Sequence, residues 1–196
     1  MRKHSGYSLI EMVILMAILS LCALMAVPAF ASLQRKMALR AATAEIRSIF
    51  QSARMRAITR GRHAGLKFTR SANQWTFAVY DDGDGDGLRS DDIARNVDRM
   101  VQAPRVALRE SKAVTIGLLA YSVKDPDGDP LSPAASPVQF NRSTICSFSP
   151  VGESTPGTVY LVDDLGRDLW AVRVYGASAK VRVTRYDNAK RKWVAQ

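Results

Sequence analysis

The chain has 196 residues, of which 47% are hydrophobic, and its formal net charge is +10 at pH 7. It has two cysteines, and because Cys22 lies in an apolar run, we expect no disulfide within the chain and a small, buried Cys146. His4 and His63 form no metal-binding pair with a cysteine, and no nucleophile motif such as Gly-x-Ser-x-Gly occurs. These absences give no support to an enzymatic function.

An apolar run follows a short basic N-terminus. Between Met12 and Ala31 only Ser20 is clearly polar, and these twenty residues are about the length that a helix needs to cross a bilayer. Arg2 and Lys3 precede the run and favour the cytoplasmic side for the N-terminus. The sequence therefore predicts a single-pass membrane protein whose C-terminal part lies in a periplasm-like space.

A secretory signal peptide is the alternative interpretation of this run, since Ala29-Phe30-Ala31 is similar to a cleavage site. The run is longer than the usual apolar core of a signal peptide, and Glu11 at its start opposes that interpretation. A carboxylate near hydrocarbon is costly and is usually paired. Cleavage after Gly6 would give Tyr7 a free α-amine that could pair with Glu11 of the same or a neighbouring subunit.

The N-terminal sequence resembles the class III leader of type IV pilins and pseudopilins. The resemblance rests on Lys3-His4-Ser5-Gly6, on Tyr7-Ser8-Leu9-Ile10-Glu11 and on the apolar run. It implies that a prepilin peptidase in the inner membrane cuts between Gly6 and Tyr7 and methylates the new N-terminus. It also implies that Glu11 guides the subunit into a filament and that Pro28 bends the helix.

A helix is predicted to continue past the apolar run. No Gly or Pro occurs between Ser32 and Arg60, and apolar residues recur at three- and four-residue steps, at Leu39, Ala42, Ile46, Ile49, Phe50, Ala53 and Ala57. Arg40, Arg47 and Arg54 repeat every seven residues on another face. That row is either a solvated helix surface or a contact with acidic groups of neighbouring subunits. Gly61 is expected to end the helix.

Residues 61–196 are predicted to form a β-rich head. Strand patterns are present at His63–Phe68, Gln74–Tyr80, Ala113–Leu118, Gly157–Val162, Leu169–Tyr175 and Ala179–Tyr186, whereas the stretch Lys124–Pro137 is predicted to be a loop. The predicted class is α+β, with a leader at 1–6, a transmembrane and filament-core helix at 7–31, its amphipathic continuation at 32–60 and the head at 61–196.

The stretch from Phe50 to Gly61, the Trp-bearing strand after it, an Asp/Gly loop, Phe148-Ser149-Pro150-Val151-Gly152 and a Val-rich final strand together resemble the GspH/FimT family of minor pseudopilins. The family implies two antiparallel sheets packed on the helix. It also implies a scarce subunit near the filament tip that primes assembly of a type II secretion pseudopilus or a type IV pilus. Its partners would be other major and minor pilins or pseudopilins, the prepilin peptidase and inner-membrane lipid.

An Asp/Gly loop matches the beginning of a calcium-binding loop. Asp82, Asp84 and Asp86 occupy the first, third and fifth positions, Gly87 follows, and Leu88 could offer a backbone carbonyl. Ile93 stands where a closing Glu is expected, so Asp91 or Asp92 would have to reach in from an altered loop. The alternatives are a solvated turn or a calcium site, and the latter leaves open a membrane-anchored calcium-binding domain with no filament role.

The C-terminus is basic. Beyond Ala31 there are 26 Lys and Arg against 17 Asp and Glu, since Arg2, Lys3 and Glu11 precede it. Six of these basic residues crowd the last seventeen positions beside Tyr186 and Trp193, namely Lys180, Arg182, Arg185, Lys190, Arg191 and Lys192. Such a pattern can bind nucleic acid, and some family members resemble DNA-uptake receptors with Gly-Arg-x-Arg. Here Gly176-Ala177-Ser178-Ala179-Lys180-Val181-Arg182 breaks that pattern, so DNA is possible but not favoured over a soluble tail or contact with anionic lipid.

Overall fold

The computed structural model describes residues 8–72, 74–108, 111 and 113–196, and it divides into two units, one ending at Met37 and the other comprising Ala38–Gln196. A single helix, α1, runs over Leu9–Arg60 and a short helix, α2, over Ser90–Ala94. The strands are β1 Ala64–Ser71, β2 Gln74–Asp81, β3 Arg99–Val106, β4 Val114–Ile116, β5 Val123–Lys124, β6 Pro130–Leu131, β7 Val138–Phe140, β8 Ile145–Phe148, β9 Gly157–Asp163, β10 Leu169–Val174, β11 Val181–Asp187 and β12 Lys192–Ala195. The predicted α+β class is confirmed.

The first unit is a helical segment with exposed apolar side chains. The large apolar side chains that the structure describes between Leu9 and Met37 are 44 to 82% exposed. By length and composition this part of α1 could cross a membrane. Apolar surface on this scale needs lipid or other protein to cover it.

The second unit contains two main antiparallel sheets, as predicted. The first sheet has the order β3-β2-β1-β8, and the second has the order β12-β11-β10-β9-β4, with β7 also paired to β9. Strands β1 and β2 form a hairpin whose register joins Phe68 to Phe77, and β10 pairs with β11 so that Trp170 lies opposite Arg185. A small third sheet contains β5 and β6.

The main core lies between the two sheets and the C-terminal half of α1. The helix contributes Leu39, Ala42, Ile46, Phe50, Ala53 and Ala57, all at most 2% exposed, while Ile49 is half-buried. Phe50 contacts the rings of Phe68, Phe140 and Phe148 at centroid distances of 5.8 to 6.4 Å. The apolar face predicted for this part of the helix is confirmed.

Both sheets also have a covered outer face. Ala78, Tyr80, Leu88 and Ile145 form a small cluster on the first sheet, which the Asp/Gly loop and α2 cover. On the second sheet, Tyr160, Val162, Leu169 and Ala171 pack with Leu119, Val123 and Leu131. The central strands β9 and β10 are therefore covered on both faces, and neither has an exposed residue.

Some local predictions need correction. The stretch Lys124–Pro137, predicted to be a loop, contributes to the β5 and β6 hairpin, and its Asp125 accepts hydrogen bonds from the N–H groups of Asp127 and Asp129. The strands predicted for the head do not account for α2, a short helix that follows the Asp/Gly loop. Gly61 does end α1, with a φ of 63° that suits glycine.

Candidate functional site

Glu11 lies in the first turn of α1 and is exposed. Its backbone N–H donates to the carbonyl of Ser8 at 3.1 Å. At this end of the helix the positive end of the helix dipole favours a carboxylate. Gly6 and Tyr7, the predicted processing residues, lie outside the described residues. Helix α1 continues through Pro28, and the predicted bend there remains a prediction.

The Asp/Gly loop is organised around Asp82, which is 2% exposed. One of its carboxylate oxygens accepts hydrogen bonds from the N–H groups of Asp84 at 3.0 Å and Gly85 at 2.7 Å. The other accepts from the N–H of Gly87 at 2.9 Å. This carboxylate therefore satisfies three backbone donors of its own loop, which is the usual role of Asp in a tight turn.

The loop brings together three of the five residues predicted to bind calcium. Carboxylate oxygens of Asp82, Asp84 and Asp86 lie within 4.8 Å of one another. Asp92 is not part of that cluster, because it lies in α2 and binds Arg95 at 2.7 Å. The side chain of Leu88 is buried in the cluster on the outer face of the first sheet.

The three carboxylates do not by themselves complete the coordination shell of a calcium ion. Calcium takes six to eight oxygen ligands, whereas three carboxylates meet here and Asp82 already binds backbone donors. The hydrogen bonds account for the loop's conformation without a cation.

The pKa values of the loop differ in direction. Burial alone would raise the pKa of Asp82, but the hydrogen bonds from Gly85, Gly87 and Asp84 lower it below its ordinary value. The pKa of Asp84 is raised, because desolvation and the negative charge of Asp86 outweigh the hydrogen bond from the Asp86 N–H. Asp82 is thus held in its charged form by the fold.

The six basic residues near the C-terminus do not form one continuous strip. Arg182 lies 5.7 Å from the Tyr175 ring centroid, and on the neighbouring strand Arg173 lies 5.3 Å from the same ring. Arg185 is three positions after Arg182 in β11. Its Nε is buried and has no acceptor in the described part of the chain. Alternation along a strand therefore places Arg182 and Arg185 on opposite faces of the sheet.

Lys190, Arg191 and Lys192 lie at the other end of β11. There, Lys192 of β12 is opposite Asp187 of β11 in the strand register. All three are exposed. From Arg182 to Asp187 a strand rises about 17 Å, so these lysines and Arg191 form a separate basic group. Lys180 precedes β11 and is exposed.

Two family models match the chain. The model described as type II transport protein GspH matches residues 42–184, which is more than half of the chain, and the prokaryotic N-terminal methylation motif matches residues 1–27. The chain belongs to the GspH family. No curated protein and no solved structure matches it.

Together, the two matches identify this member of the GspH family as a minor pseudopilin of the class found in type II secretion and type IV pilus machines. Members of this family are structural components. The leader motif and the apolar part of α1 indicate that the pseudopilin is anchored in a membrane.

Two charged contacts of the pseudopilin head were not predicted. Asp98 is 1% exposed and accepts hydrogen bonds from the N–H groups of Gly83 at 3.2 Å and Arg89 at 3.1 Å. It therefore connects the two ends of the Asp/Gly loop. Arg56 of α1 binds both carboxylate oxygens of Asp81, at 2.5 and 2.7 Å. The two residues of each contact are 9 to 25 positions apart in the sequence. No pattern of neighbouring residues would predict such pairs.

Proposed function

We propose that the pseudopilin is made as an inner-membrane precursor with its N-terminus in the cytoplasm and its head in the periplasm. A prepilin peptidase cuts it between Gly6 and Tyr7 and methylates Tyr7. Glu11 then guides the mature subunit into a filament, where it lies near the tip and primes assembly and protein secretion. Its partners are the other pilins or pseudopilins of that filament.

One observation carries this proposal. The methylation motif matches residues 1–27, and from Leu9 onward these residues form the first part of a helix whose described apolar side chains are uncovered. In a membrane, lipid covers these side chains, and in a filament neighbouring helices of the same kind do so. Glu11, at the beginning of this surface, supports assembly rather than lipid anchoring alone, because a carboxylate at that depth favours a cationic partner.

Processing is tested with Gly6→Leu. Because the peptidase site must accept this position without a side chain, the variant is expected to stay as an uncut precursor in the inner membrane, and mass spectrometry would detect it. Release of a fragment cut near Ala31 would instead identify a secretory signal peptide and end the proposal.

Assembly is tested with Glu11→Ala and Glu11→Gln, which remove the charge with and without a change of shape. Both should be cut after Gly6 as in the wild type but should be missing from sheared filaments, and Ser20→Ala serves as a control in the same apolar run. Normal incorporation of the two Glu11 variants would contradict the assigned role.

The machine itself is tested in a strain that lacks this chain. Loss of secreted proteins from the medium with normal pili would identify a secretion pseudopilus, and loss of pili with normal secretion would identify a type IV pilus. Each phenotype should return to normal with the wild-type chain and not with Gly6→Leu.

A further inference from the structure

A segment of α1 without ionisable acidic or basic side chains ends at a pair of basic residues. The 23 residues from Met12 to Gln34 include no Asp, Glu, Lys or Arg, and Arg35 and Lys36 follow directly. In a helix these residues extend over about 34 Å, and the hydrocarbon core of a bilayer is about 30 Å thick. The segment is therefore long enough to cross the core, with Glu11 at one boundary and Arg35 at the other.

The two basic residues lie at the depth of lipid head groups when this segment fills the core. Head groups add about 5 to 7 Å to each side of the hydrocarbon, and Lys36 is only about 4.5 Å along the helix from the apolar Leu33. Lys36 is exposed, and Leu33 and Met37 beside it are 53 and 58% exposed. Long cationic side chains near the end of a membrane helix reach to the interface.

Membrane orientation does not explain these two cations. Lys and Arg on short flanks favour the cytoplasmic side, whereas Arg35 and Lys36 follow the span and precede the head. Cleavage after Gly6 would also remove Arg2 and Lys3, and the next Lys or Arg in the sequence is Arg35. A processed subunit would therefore carry its first Lys and Arg side chains on the far side of the span.

We propose that Arg35 and Lys36 bind the phosphate groups of phospholipid heads in the periplasmic leaflet and prefer an anionic lipid such as phosphatidylglycerol. The choice of leaflet rests on the proposed function, but lipid binding itself does not. Lipid is the occupant because the two cations continue directly from the uncovered apolar surface of a membrane-anchored helix. Bound head groups fix the depth of the span, and these contacts have to break when the subunit leaves the bilayer for a filament.

Lipid preference is tested with the detergent-solubilised full chain in micelles that contain equal amounts of phosphatidylglycerol and phosphatidylcholine. Native mass spectrometry counts how many molecules of each lipid remain bound. The wild type should retain at least about threefold more phosphatidylglycerol, since each cation strengthens attraction to anionic lipid about fivefold. Equal retention of the two lipids would overturn the proposal, as would a greater loss of lipid in inorganic phosphate than in sodium chloride of the same ionic strength.

Matched variants locate the preference, because Arg2 and Lys3 of the leader are present in all of them. Arg35→Gln with Lys36→Gln should lower the preference at least about threefold. Arg60→Gln with Arg62→Gln removes the same charge at exposed positions and should leave the preference unchanged. Lys36→Gln alone, at an exposed position, should lower it at least about twofold, and Lys36→Arg should preserve it. Equal losses in the two double variants would contradict the assignment.

Depth is tested in vesicles of the same two lipids with a bimane fluorophore at Met37→Cys in a Cys22→Ala chain, in which the remaining Cys146 is buried. A spin label on the lipid head group should quench the fluorescence at least about twofold more than a label in the middle of the acyl chain. Stronger quenching by the acyl-chain label would place this position in the hydrocarbon, and quenching by neither label would place it in water. Both results would overturn the proposal.

These measurements need neither a peptidase nor a filament. If lipid preference depends on Arg35 and Lys36 while Gly6→Leu and Glu11→Ala assemble normally, the proposed function fails and the lipid site remains. If the two double variants retain lipid alike while Glu11→Ala is missing from filaments, the lipid site fails and the proposed function remains.

Discussion

At the scale of single residues, Asp82 and Asp98 show how the head uses buried carboxylates. Asp82 accepts three backbone hydrogen bonds within its own loop, and Asp98 accepts two from Gly83 and Arg89. Gly83 is required there, because a Cβ at this position would collide with the carbonyl of Val97. The acidic loop is thus a structural element built on the end of β2.

Replacement of Asp82 by Asn should destabilise the chain by about 1 to 3 kcal/mol, because a buried backbone donor loses its charged acceptor. The measurement is thermal unfolding of the detergent-solubilised chain, first in EDTA and then in excess calcium. Asp86→Asn is the control, since Asp86 is exposed and its ion pair with Arg89 lies at the surface. Equal losses in the two variants, or a calcium-dependent rise in Tm that both abolish, would mean that a cation holds the loop together.

The lowered pKa of Asp82 also predicts a pH dependence. Because the folded-state pKa lies below the ordinary value of 3.8, the unfolded chain takes up the proton first as pH falls. The stabilisation is therefore complete above about pH 5 and is lost as pH falls through the folded-state pKa. Between pH 5 and 2.5 the free energy of unfolding should fall more steeply with decreasing pH for the wild type than for Asp82→Asn. An equal pH dependence in the two proteins would contradict this.

At the scale of elements, the two parts of helix α1 differ in how their apolar side chains are covered. Its first part exposes apolar residues on all sides, whereas its second part buries a single face against both sheets. Phe50 lies at the centre of that face and contacts three other Phe rings. The packing of the helix on the sheets therefore depends on a small number of large side chains.

Phe50→Ala should lower the free energy of unfolding by about 3 to 5 kcal/mol, because it leaves a cavity between helix and sheets. Met55→Ala on the same helix is the control, since Met55 is 59% exposed, and it should change stability by less than about 0.5 kcal/mol. Chemical denaturation followed by tryptophan fluorescence measures both. A Phe50→Ala loss no larger than that of the control would show that α1 does not pack on the sheets as described.

At the scale of the whole chain, the positive charge is distributed rather than gathered into one strip. Arg182 and Arg185 lie on opposite faces of β11, and Lys190, Arg191 and Lys192 lie at its other end. A duplex engages many phosphates at once only where cations are aligned. The arrangement thus favours nonspecific attraction over a dedicated DNA site.

Duplex DNA should bind the solubilised chain no more tightly than about 10⁻⁴ to 10⁻⁶ M at physiological salt, which is the nonspecific range. The measurement is a salt titration from about 50 to 200 mM, in which each neutralised phosphate adds about 0.9 to the log-log slope. Lys180 and Arg182 replaced together should leave the slope nearly unchanged. An affinity well below micromolar that this double replacement abolishes would make DNA uptake the better account of the protein.

The sequence by itself determined the features that depend on local pattern. The methylation motif, the apolar run, the buried face of α1 from Leu39 to Ala57 and the strands at β9, β10 and β11 all follow from spacing within a few residues. Strands such as β3 were missed, because an exposed edge strand containing Pro104 has no apolar alternation.

Tertiary structure decided the features that join distant residues. The pairs Arg56–Asp81 and Asp98–Gly83 and the separation of the C-terminal cations depend on which strands become neighbours. The order of strands in a sheet is set by the burial of both sheet faces at once, and that is a property of the whole core. A local pattern of charges therefore predicts that a residue is charged and exposed, whereas only the fold determines what it faces.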